Sequence, residues 1–141
     1  MSDCVFCDII AGELPASVVY EDNTLIAIMD ISPVNTGHVI VIPKKHFPCM
    51  ADMDEDTGAH LFRITMRIQK AVRKSGVRCE GINLFLADGE AAFQDVFHLH
   101  MHIIPRFQGD EFKISADWSI KPPREELDEL AAQIRNANGC L

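Results

Sequence analysis

The run Val96-Phe97-His98-Leu99-His100-Met101-His102-Ile103-Ile104 alternates histidine with apolar residues. A period of two predicts a β-strand with the three histidines on one face and with Phe97, Leu99, Met101 and Ile103 on the other. Side chains two apart on one face lie about 6.5–7 Å from one another. Three of the six histidines in the chain are therefore expected to stand as neighbours in a row.

The histidine row has three interpretations. An accidental polar face is the weakest, because three of only six histidines occupy consecutive positions of that face. Imidazole is a common zinc ligand, but three rings in line on one strand suit a single tetrahedral ion poorly. The third interpretation is nucleophilic catalysis, in which a neutral imidazole held by an acceptor attacks phosphorus and neighbouring donors stabilise the phosphoryl oxygens. We expect His100, at the centre of the row, to be that nucleophile.

The hydrophobic pattern around the row predicts an α+β fold. Strands are expected at 18–20, 25–30, 38–42, 82–86 and 96–104, and helices at about 54–74 and from 123 to near 139. This order predicts an antiparallel β-meander with one long helix and a C-terminal helix against one face. The length fits a single domain over 1–141, with a core of about 4–106 and a less diagnostic tail at 107–141.

Composition narrows the class of protein. The formal charge of −8 argues against a nucleic-acid partner, while 48% apolar and 24% charged residues are ordinary for a globular domain. The start has no signal-peptide pattern and no apolar run is long enough to span a bilayer, so we expect a cytoplasmic protein without a membrane partner. Cys4 and Cys7 are spaced like a metal-binding pair, which we favour over two free thiols. Cys49, Cys79 and Cys140 show no partner pattern.

Residues 88–106 resemble the signature of the histidine triad (HIT) family of nucleotide hydrolases and transferases. The His-apolar-His-apolar-His-apolar-apolar core is the most specific part. Further similarity lies in Phe6-Cys7-Asp8-Ile9-Ile10, Tyr20-Glu21-Asp22, Met29-Asp30-Ile31-Ser32-Pro33 and Gly37 to His46. The resemblance covers about residues 4–106, and it is greater to the Hint and bacterial HIT branch than to the longer galactose-1-phosphate uridylyltransferases.

The resemblance implies roles for individual residues. His100 would take the nucleoside monophosphate, His102 would lie by the transferred phosphate, and His38 would support them from the adjacent strand. Asp30 would accept from the ribose hydroxyls, and Gln94 would contact the phosphate or the leaving group. The base pocket would be lined by Phe6, Ile9 and Ile31, although core packing explains these three residues equally well.

The resemblance also implies a structural zinc ion, held by Cys4, Cys7, His46 and His98 in a closed tetrahedral site. Two positions depart from the family pattern. Ala87 stands where asparagine is frequent, and Asp95 follows Gln94 where serine or threonine is usual. A lost amide and an added carboxylate both weaken an anion site, so Asp95 is a candidate for substrate selection.

The function implied by the resemblance is that of a homodimeric hydrolase. It would act at the α-phosphorus of a purine nucleoside phosphoramidate or related adenylate through a nucleotidyl-histidine intermediate. One alternative is hydrolysis of dinucleoside polyphosphates. The other is a nucleotide-binding module with little turnover, which the intact triad disfavours because binding alone has no need of His100.

Overall fold

The computed structural model describes residues 2–141 and has the expected α+β fold. A five-stranded antiparallel sheet has the order β1-β2-β3-β5-β4. The strands are β1 (Val18–Glu21), β2 (Leu25–Met29), β3 (Val39–Pro43), β4 (Gly81–Phe85) and β5 (Met101–Arg106), and the helices are α1 (Val5–Ile10), α2 (Glu55–Lys74) and α3 (Arg124–Arg135). Short 3-10 turns at Met50–Asp52 and Glu90–Ala92 complete the chain.

The central strands β2 and β3 are covered on both faces. Alternate residues of the two strands enter different hydrophobic clusters, since successive side chains point to opposite faces of a sheet. One cluster joins Leu25, Ala27, Val39 and Val41 to Leu61, Ile64, Ile68 and Val72 of α2. The other joins Ile26, Ile28, Ile40 and Ile42 to Phe6 of α1. The sheet therefore has an α2 side and an α1 side, and a candidate site can lie on either.

Helix α2 follows its sequence pattern closely. Four residues of the expected apolar stripe, Leu61, Ile64, Ile68 and Val72, are buried, whereas the fifth, Ala71, is exposed. The Asp54 side chain accepts from the backbone N–H of Thr57 at the N-terminus. The helix packs against β3 and β5. The prediction of a helix over 54–74 is confirmed to within one residue.

Helix α1 was not anticipated, and it changes the layer arrangement. It covers the face of the sheet opposite to α2, whereas we expected helices against one face only. Six residues are too few for a 3.6-residue period to be visible in the sequence. Because α1 begins directly after Cys4, it also determines where the Cys4 and Cys7 side chains lie.

The strand prediction for 96–104 is wrong in its first half. Pairing with β3 runs from Val39↔Ile103 to Val41↔Met101, and strand β5 begins only at Met101. The preceding residues leave the ladder: the Leu99 N–H donates to the Phe47 carbonyl at 2.7 Å. His98, Leu99 and His100 are all buried, so the alternation there does not separate a core face from a solvent face.

Two compact units are present, one up to Glu111 and one from Phe112 to Leu141. The second unit contains α3, which the C-terminal pattern predicted, although α3 ends at Arg135 and not near Gly139. Its stripe residues Leu127, Leu130 and Ile134 are exposed. Across residues 2–141, no helix is both long and apolar enough to cross a bilayer. The single-domain prediction stays a prediction.

Candidate active site and metal centre

A cavity of about 410 Å³ lies on the α1 side of the sheet. His102 reaches this side because it pairs with Ile40, whose side chain packs with α1. Seven of the predicted site residues line the cavity together: Phe6, Ile9, Asp30, Ile31, Asp95, His100 and His102. The walls are mainly apolar, and the ionisable side chains among the lining residues are two carboxylates and two imidazoles. Such a cavity suits a ligand with a flat apolar part and a polar end.

His100 has a defined tautomer. Its Nδ1 lies 2.8 Å from the His98 carbonyl oxygen, which can only accept, so Nδ1 carries the proton. The lone pair is consequently on Nε2. The ring packs edge-on against Phe6, with 4.9 Å between centroids, and only 4% of the residue is exposed. In its neutral form the ring therefore presents Nε2 as the nucleophilic nitrogen.

His38 and His102 form a directional hydrogen-bond pair. The Val34 backbone N–H donates to Nδ1 of His38 at 3.1 Å, so the proton of His38 is on Nε2. His38 Nε2 then donates to Nδ1 of His102 at 2.8 Å, which leaves the His102 proton on its own Nε2. The preceding Gly37 has a φ of +91°, and a Cβ there would meet Val77 at 2.6 Å, so glycine is required where the chain turns into His38.

Asp30 completes a cluster with this pair. Its Oδ2 is 3.5 Å from His38 Nε2 and 3.8 Å from His102 Nδ1, while its Oδ1 accepts from the Ser32 N–H. These three side chains converge closely enough to suggest a metal site. The tautomers argue against one, since a ligand nitrogen needs a lone pair and His38 Nε2 already carries the proton. The cluster is better described as a carboxylate beside a hydrogen-bonded pair of histidines.

Burial favours the neutral form of His38, His98 and His102. It lowers the pKa of His102 to about 4, assisted by the neighbouring His100 and His38 rings. Burial also lowers the pKa values of His38 and His98, although the Asp30 carboxylate opposes the shift at His38. Neutral rings at pH 7 can act as hydrogen-bond relays, nucleophiles or metal ligands.

A second group of ligands converges beside the cavity: Cys4, Cys7, His46 and His98. His98 Nε2 donates to the Pro43 carbonyl at 2.7 Å, so the lone pair on Nδ1 faces the thiols, 3.4 Å from Cys4 Sγ and 3.6 Å from Cys7 Sγ. Cys7 Sγ lies 3.3 Å from His46 Nδ1. Sulfur and nitrogen ligands of one tetrahedral zinc ion are about 3.5 Å apart. These four residues fit a metal of that kind.

The structure gives contacts or exposure for three predicted site residues, Gln94, Asp95 and Ile31, that the sequence did not predict. Gln94 is buried, its Oε1 accepts from the Gly89 N–H, and its Nε2 donates to the Pro48 and Val96 carbonyls. Gln94 therefore braces the loop, and its contact with a ligand stays a prediction. Asp95 is 82% exposed, with Oδ1 3.9 Å from His100 Nε2. Ile31 is 96% exposed at the cavity, so core packing does not explain it.

Several lining residues were missed. Leu14, Pro15 and Ala16 follow α1 and form part of the wall, together with Met29 and Val96. The sequence gave Leu14 and Pro15 only a turn signal, and a turn pattern carries no information about which cavity it borders. Ala87, where the family pattern often has asparagine, is buried and does not line the cavity.

The HIT domain family model matches residues 11–109. The chain belongs to the HIT family. An uncharacterised HIT-like protein of Borreliella burgdorferi is 38% identical, with 95% of this chain and 97% of the relative covered. A HIT family structure from Bacillus subtilis has a TM-score of 0.87 and 37% identity, covering 96% of this HIT protein and 97% of that chain.

Three further relatives are named for a bound metal or an activity. A zinc-bound histidine triad protein from Mycobacterium smegmatis has a TM-score of 0.75 and 41% identity, with 96% and 97% of the chains covered. Adenosine 5'-monophosphoramidase hnt1 of Schizosaccharomyces pombe is 31% identical over 93% of this chain and 95% of its own. Adenylylsulfatase HINT3 of Arabidopsis thaliana is 36% identical over 94% of this chain and 66% of its own. These descriptions apply to those proteins.

Proposed function

We propose that this HIT protein hydrolyses a purine nucleoside phosphoramidate or a related adenylate at its α-phosphorus. The observation that carries the proposal is the His100 tautomer: the His98 carbonyl holds Nδ1–H, so the Nε2 lone pair is available beside the cavity. Two enzymes that share 31% and 36% identity with the chain are a monophosphoramidase and an adenylylsulfatase. Both names describe cleavage at the phosphorus of an adenylyl group, with nitrogen as the leaving atom in one case and sulfate as the leaving group in the other.

The reaction has two displacements. His100 Nε2 forms a bond to the α-phosphorus while the phosphorus–nitrogen bond breaks, and the leaving nitrogen takes up a proton from solvent water. A water molecule then attacks the phosphorus of the nucleotidyl-histidine and gives up a proton to solvent, the phosphorus–Nε2 bond breaks, and the nucleoside monophosphate is released with His100 regenerated. His102 carries its proton on Nε2, so it can donate to a phosphoryl oxygen as charge develops there.

The nucleoside would occupy the apolar part of the cavity. The Phe6 and Ile9 side chains offer a surface for a purine, and Asp30 offers a carboxylate oxygen to the vicinal hydroxyls of ribose. The Asp95 carboxylate near the nucleophile disfavours dinucleoside polyphosphates, because these substrates add negative charge. It is compatible with an amine that becomes cationic as it departs.

The test is the reaction itself. The protein is incubated with an adenosine phosphoramidate, AMP is measured, and an acid-free quench is searched for an adenylylated histidine by mass spectrometry. His100→Ala is expected to abolish turnover while nucleotide affinity stays within about tenfold, because only the covalent step is lost. Near wild-type turnover in His100→Ala would contradict the assignment of the nucleophile. Binding of AMP without turnover by the wild-type protein would favour the nucleotide-binding alternative.

We further propose that Cys4, Cys7, His46 and His98 hold a structural zinc ion. The donor set of two sulfurs and two ring nitrogens, its spacing, and the carbonyl partner of His98 Nε2 support this assignment. Four protein ligands leave no open position, so the metal would stabilise the fold and not enter the reaction.

We propose a homodimer as the working form. Strand β4 is an edge strand, and its Leu84 and Phe85 are 41% and 39% exposed. Phe62 and Met66, one turn apart on α2, are 50% and 47% exposed. An uncovered apolar edge strand is a natural site for pairing with a second copy.

A further inference from the structure

The loop between β2 and β3 is fixed by one asparagine. Asn35 donates through Nδ2 to the Pro105 carbonyl at 2.9 Å and to Oδ2 of Asp110 at 2.8 Å. Its backbone carbonyl accepts from the His38 N–H at 3.1 Å. Asn35 therefore connects the segment beyond β5 to the turn that precedes His38, the residue that donates to His102.

Asp110 is held firmly enough to serve as an anchor. Its side chain is 3% exposed, and it accepts from Nε and Nη2 of Arg106 at 2.7 and 2.8 Å and from the Phe107 N–H at 3.2 Å. The Arg106 guanidinium holds the pKa of this carboxyl well below its usual range. Since a bidentate arginine–carboxylate pair is geometrically specific, Asp110 presents Oδ2 to Asn35 in one orientation.

The anchored loop determines a protonation pattern. It presents the Val34 N–H to Nδ1 of His38, and that single donor places the His38 proton on Nε2. His38 then donates to His102, and the His102 proton is consequently on the nitrogen that is free to face a ligand. Without the Val34 donor, the reverse arrangement, with both protons on Nδ1, keeps the hydrogen bond between the rings. Asp30 Oδ2 discriminates little between the two arrangements, because it lies 3.5 Å from His38 Nε2 and 3.8 Å from His102 Nδ1.

We propose that Asn35, Asp110 and Arg106 are positioning residues that set the tautomers of His38 and His102. They act through the loop and touch neither the cavity nor the rings. The catalytic meaning of this arrangement rests on the proposed hydrolysis, in which His102 donates from Nε2. The tautomers themselves are a property of the protein without substrate.

The experiment records nitrogen-15 histidine spectra of the full chain, prepared with zinc, at a pH well above the imidazole range. In the wild type, both His38 and His102 are expected as Nε2–H tautomers. In Asn35→Ala and Asp110→Asn, a substantial Nδ1–H population should appear at both rings. An asparagine at 110 cannot accept on both arms, so either the arginine or Asn35 loses its partner. With an adenosine phosphoramidate, kcat should fall at least about tenfold while KM changes little.

Asp22→Asn is the matched control. Asp22 is also a multiply bonded carboxylate, accepting from Tyr20 Oη at 2.7 Å and pairing with His60 Nε2 at 2.6 Å, but it joins the β1–β2 turn to α2. We expect a comparable loss of thermal stability, with unchanged His38 and His102 tautomers and unchanged kcat. Asn35→Ala removes no buried charge, so it keeps the test available if Asp110→Asn fails to fold.

Two results would overturn the inference. One is a wild-type His38 in the Nδ1–H form, and the other is wild-type tautomers in folded Asn35→Ala. A wild-type protein that shows the expected tautomers but does not hydrolyse the phosphoramidate would refute the proposed function while leaving the positioning role established.

Discussion

At the scale of single residues, a backbone group fixes the ring proton of three histidines in this HIT protein. The His98 carbonyl, the Val34 N–H and the Pro43 carbonyl fix the protons of His100, His38 and His98. A ring nitrogen beside a carbonyl must donate, and one beside an N–H must accept. Three chemically identical side chains thereby present different nitrogens, as the proposed nucleophile, the partner of His102 and a proposed metal ligand.

Asp95 is expected to select among substrates. Two like charges about 5 Å apart at an effective dielectric near 20 repel by about 3 kcal/mol, and Asp95 Oδ1 is 3.9 Å from Nε2 of the proposed nucleophile His100. In Asp95→Ser, the ratio of dinucleoside polyphosphate to phosphoramidate turnover should rise at least about tenfold, or about 1.4 kcal/mol. The measurement compares kcat/KM for both substrates.

The side chain of Asp95 is 82% exposed, so solvent screening is the opposing effect. An unchanged ratio in Asp95→Ser would mean that the carboxylate turns to solvent and that only its backbone serves the substrate. Asp3→Ser, a change of the same charge in an exposed residue, is the control for net charge.

His102 is expected to make stability depend on pH. Its folded pKa of about 4 lies below the ordinary value of 6.5, so the unfolded chain binds more protons between these values. Its contribution is complete above about pH 6.5 and is lost as the pH falls toward 4. Going from pH 7 to pH 5 should cost about 2 kcal/mol more in the wild type than in His102→Asn.

Denaturant titrations of both proteins at the two pH values measure this difference. The groups that face His102 are His38, His100, Asp30 and Asp95, and all four remain in the variant. The lowered pKa values of Asp22 and Asp110 place their titration below this window. Parallel pH dependence in the two proteins would show that His102 does not titrate as burial predicts.

At the scale of secondary-structure elements, α1 contributes to both the proposed metal site and the cavity. The helix contributes Cys7 to one and Phe6 to the other, and Cys4 precedes its first turn. A six-residue helix has little stability of its own. Its position should therefore depend on contacts made by its side chains.

Removal of the metal ligands is expected to lower stability more than catalysis. We expect one zinc ion per chain, with Cys4→Ser and Cys7→Ser each costing about 3 kcal/mol, or about 10 °C in Tm, while the rate per folded molecule changes less. Elemental analysis and thermal melts give the two quantities. Cys140→Ser, at an exposed cysteine, should change neither. Zinc-free protein from a chelator-free purification would contradict the expectation.

The elements differ in how far the sequence could predict them. Helix α2 was predictable because an apolar stripe from Leu61 to Val72 follows an Asp54 cap. The predicted strand at 96–104 begins too early. The alternation of residue types starts at Val96, whereas β3 offers hydrogen-bond partners only from Met101 onward. Periodicity describes side chains, whereas a strand also needs a neighbouring backbone.

At the scale of the whole molecule, the exposed apolar residues of edge strand β4 are expected to mediate dimerisation. Leu84→Lys on β4 is expected to convert a homodimer to a monomer, since charge on an edge strand opposes pairing. Sedimentation velocity measures the mass. Val19→Lys on the opposite edge strand, where Val19 is 44% exposed, is the matched control and should leave the dimer intact. A wild-type monomer at every concentration tested would refute the dimer.

Contacts between distant parts of the chain limited prediction of the site. The resemblance to the HIT family identified the candidate nucleophile and metal ligands one position at a time. The bond from Asn35 to Asp110 spans 75 residues, and Asp110 lies in the segment that we treated as a less diagnostic tail. No local pattern reports such a pairing, because each partner is an ordinary polar residue in its own neighbourhood.

His98 divides its polar groups among three partners, and this has an evolutionary consequence. Nδ1 faces the thiols, Nε2 donates to Pro43, and the main-chain oxygen accepts from His100. A lineage could lose both cysteines and still keep this ring anchored through Pro43, with the main-chain acceptor intact. Among homologous sequences, Cys4, Cys7 and His46 should therefore be replaced together, while histidine should be retained at position 98.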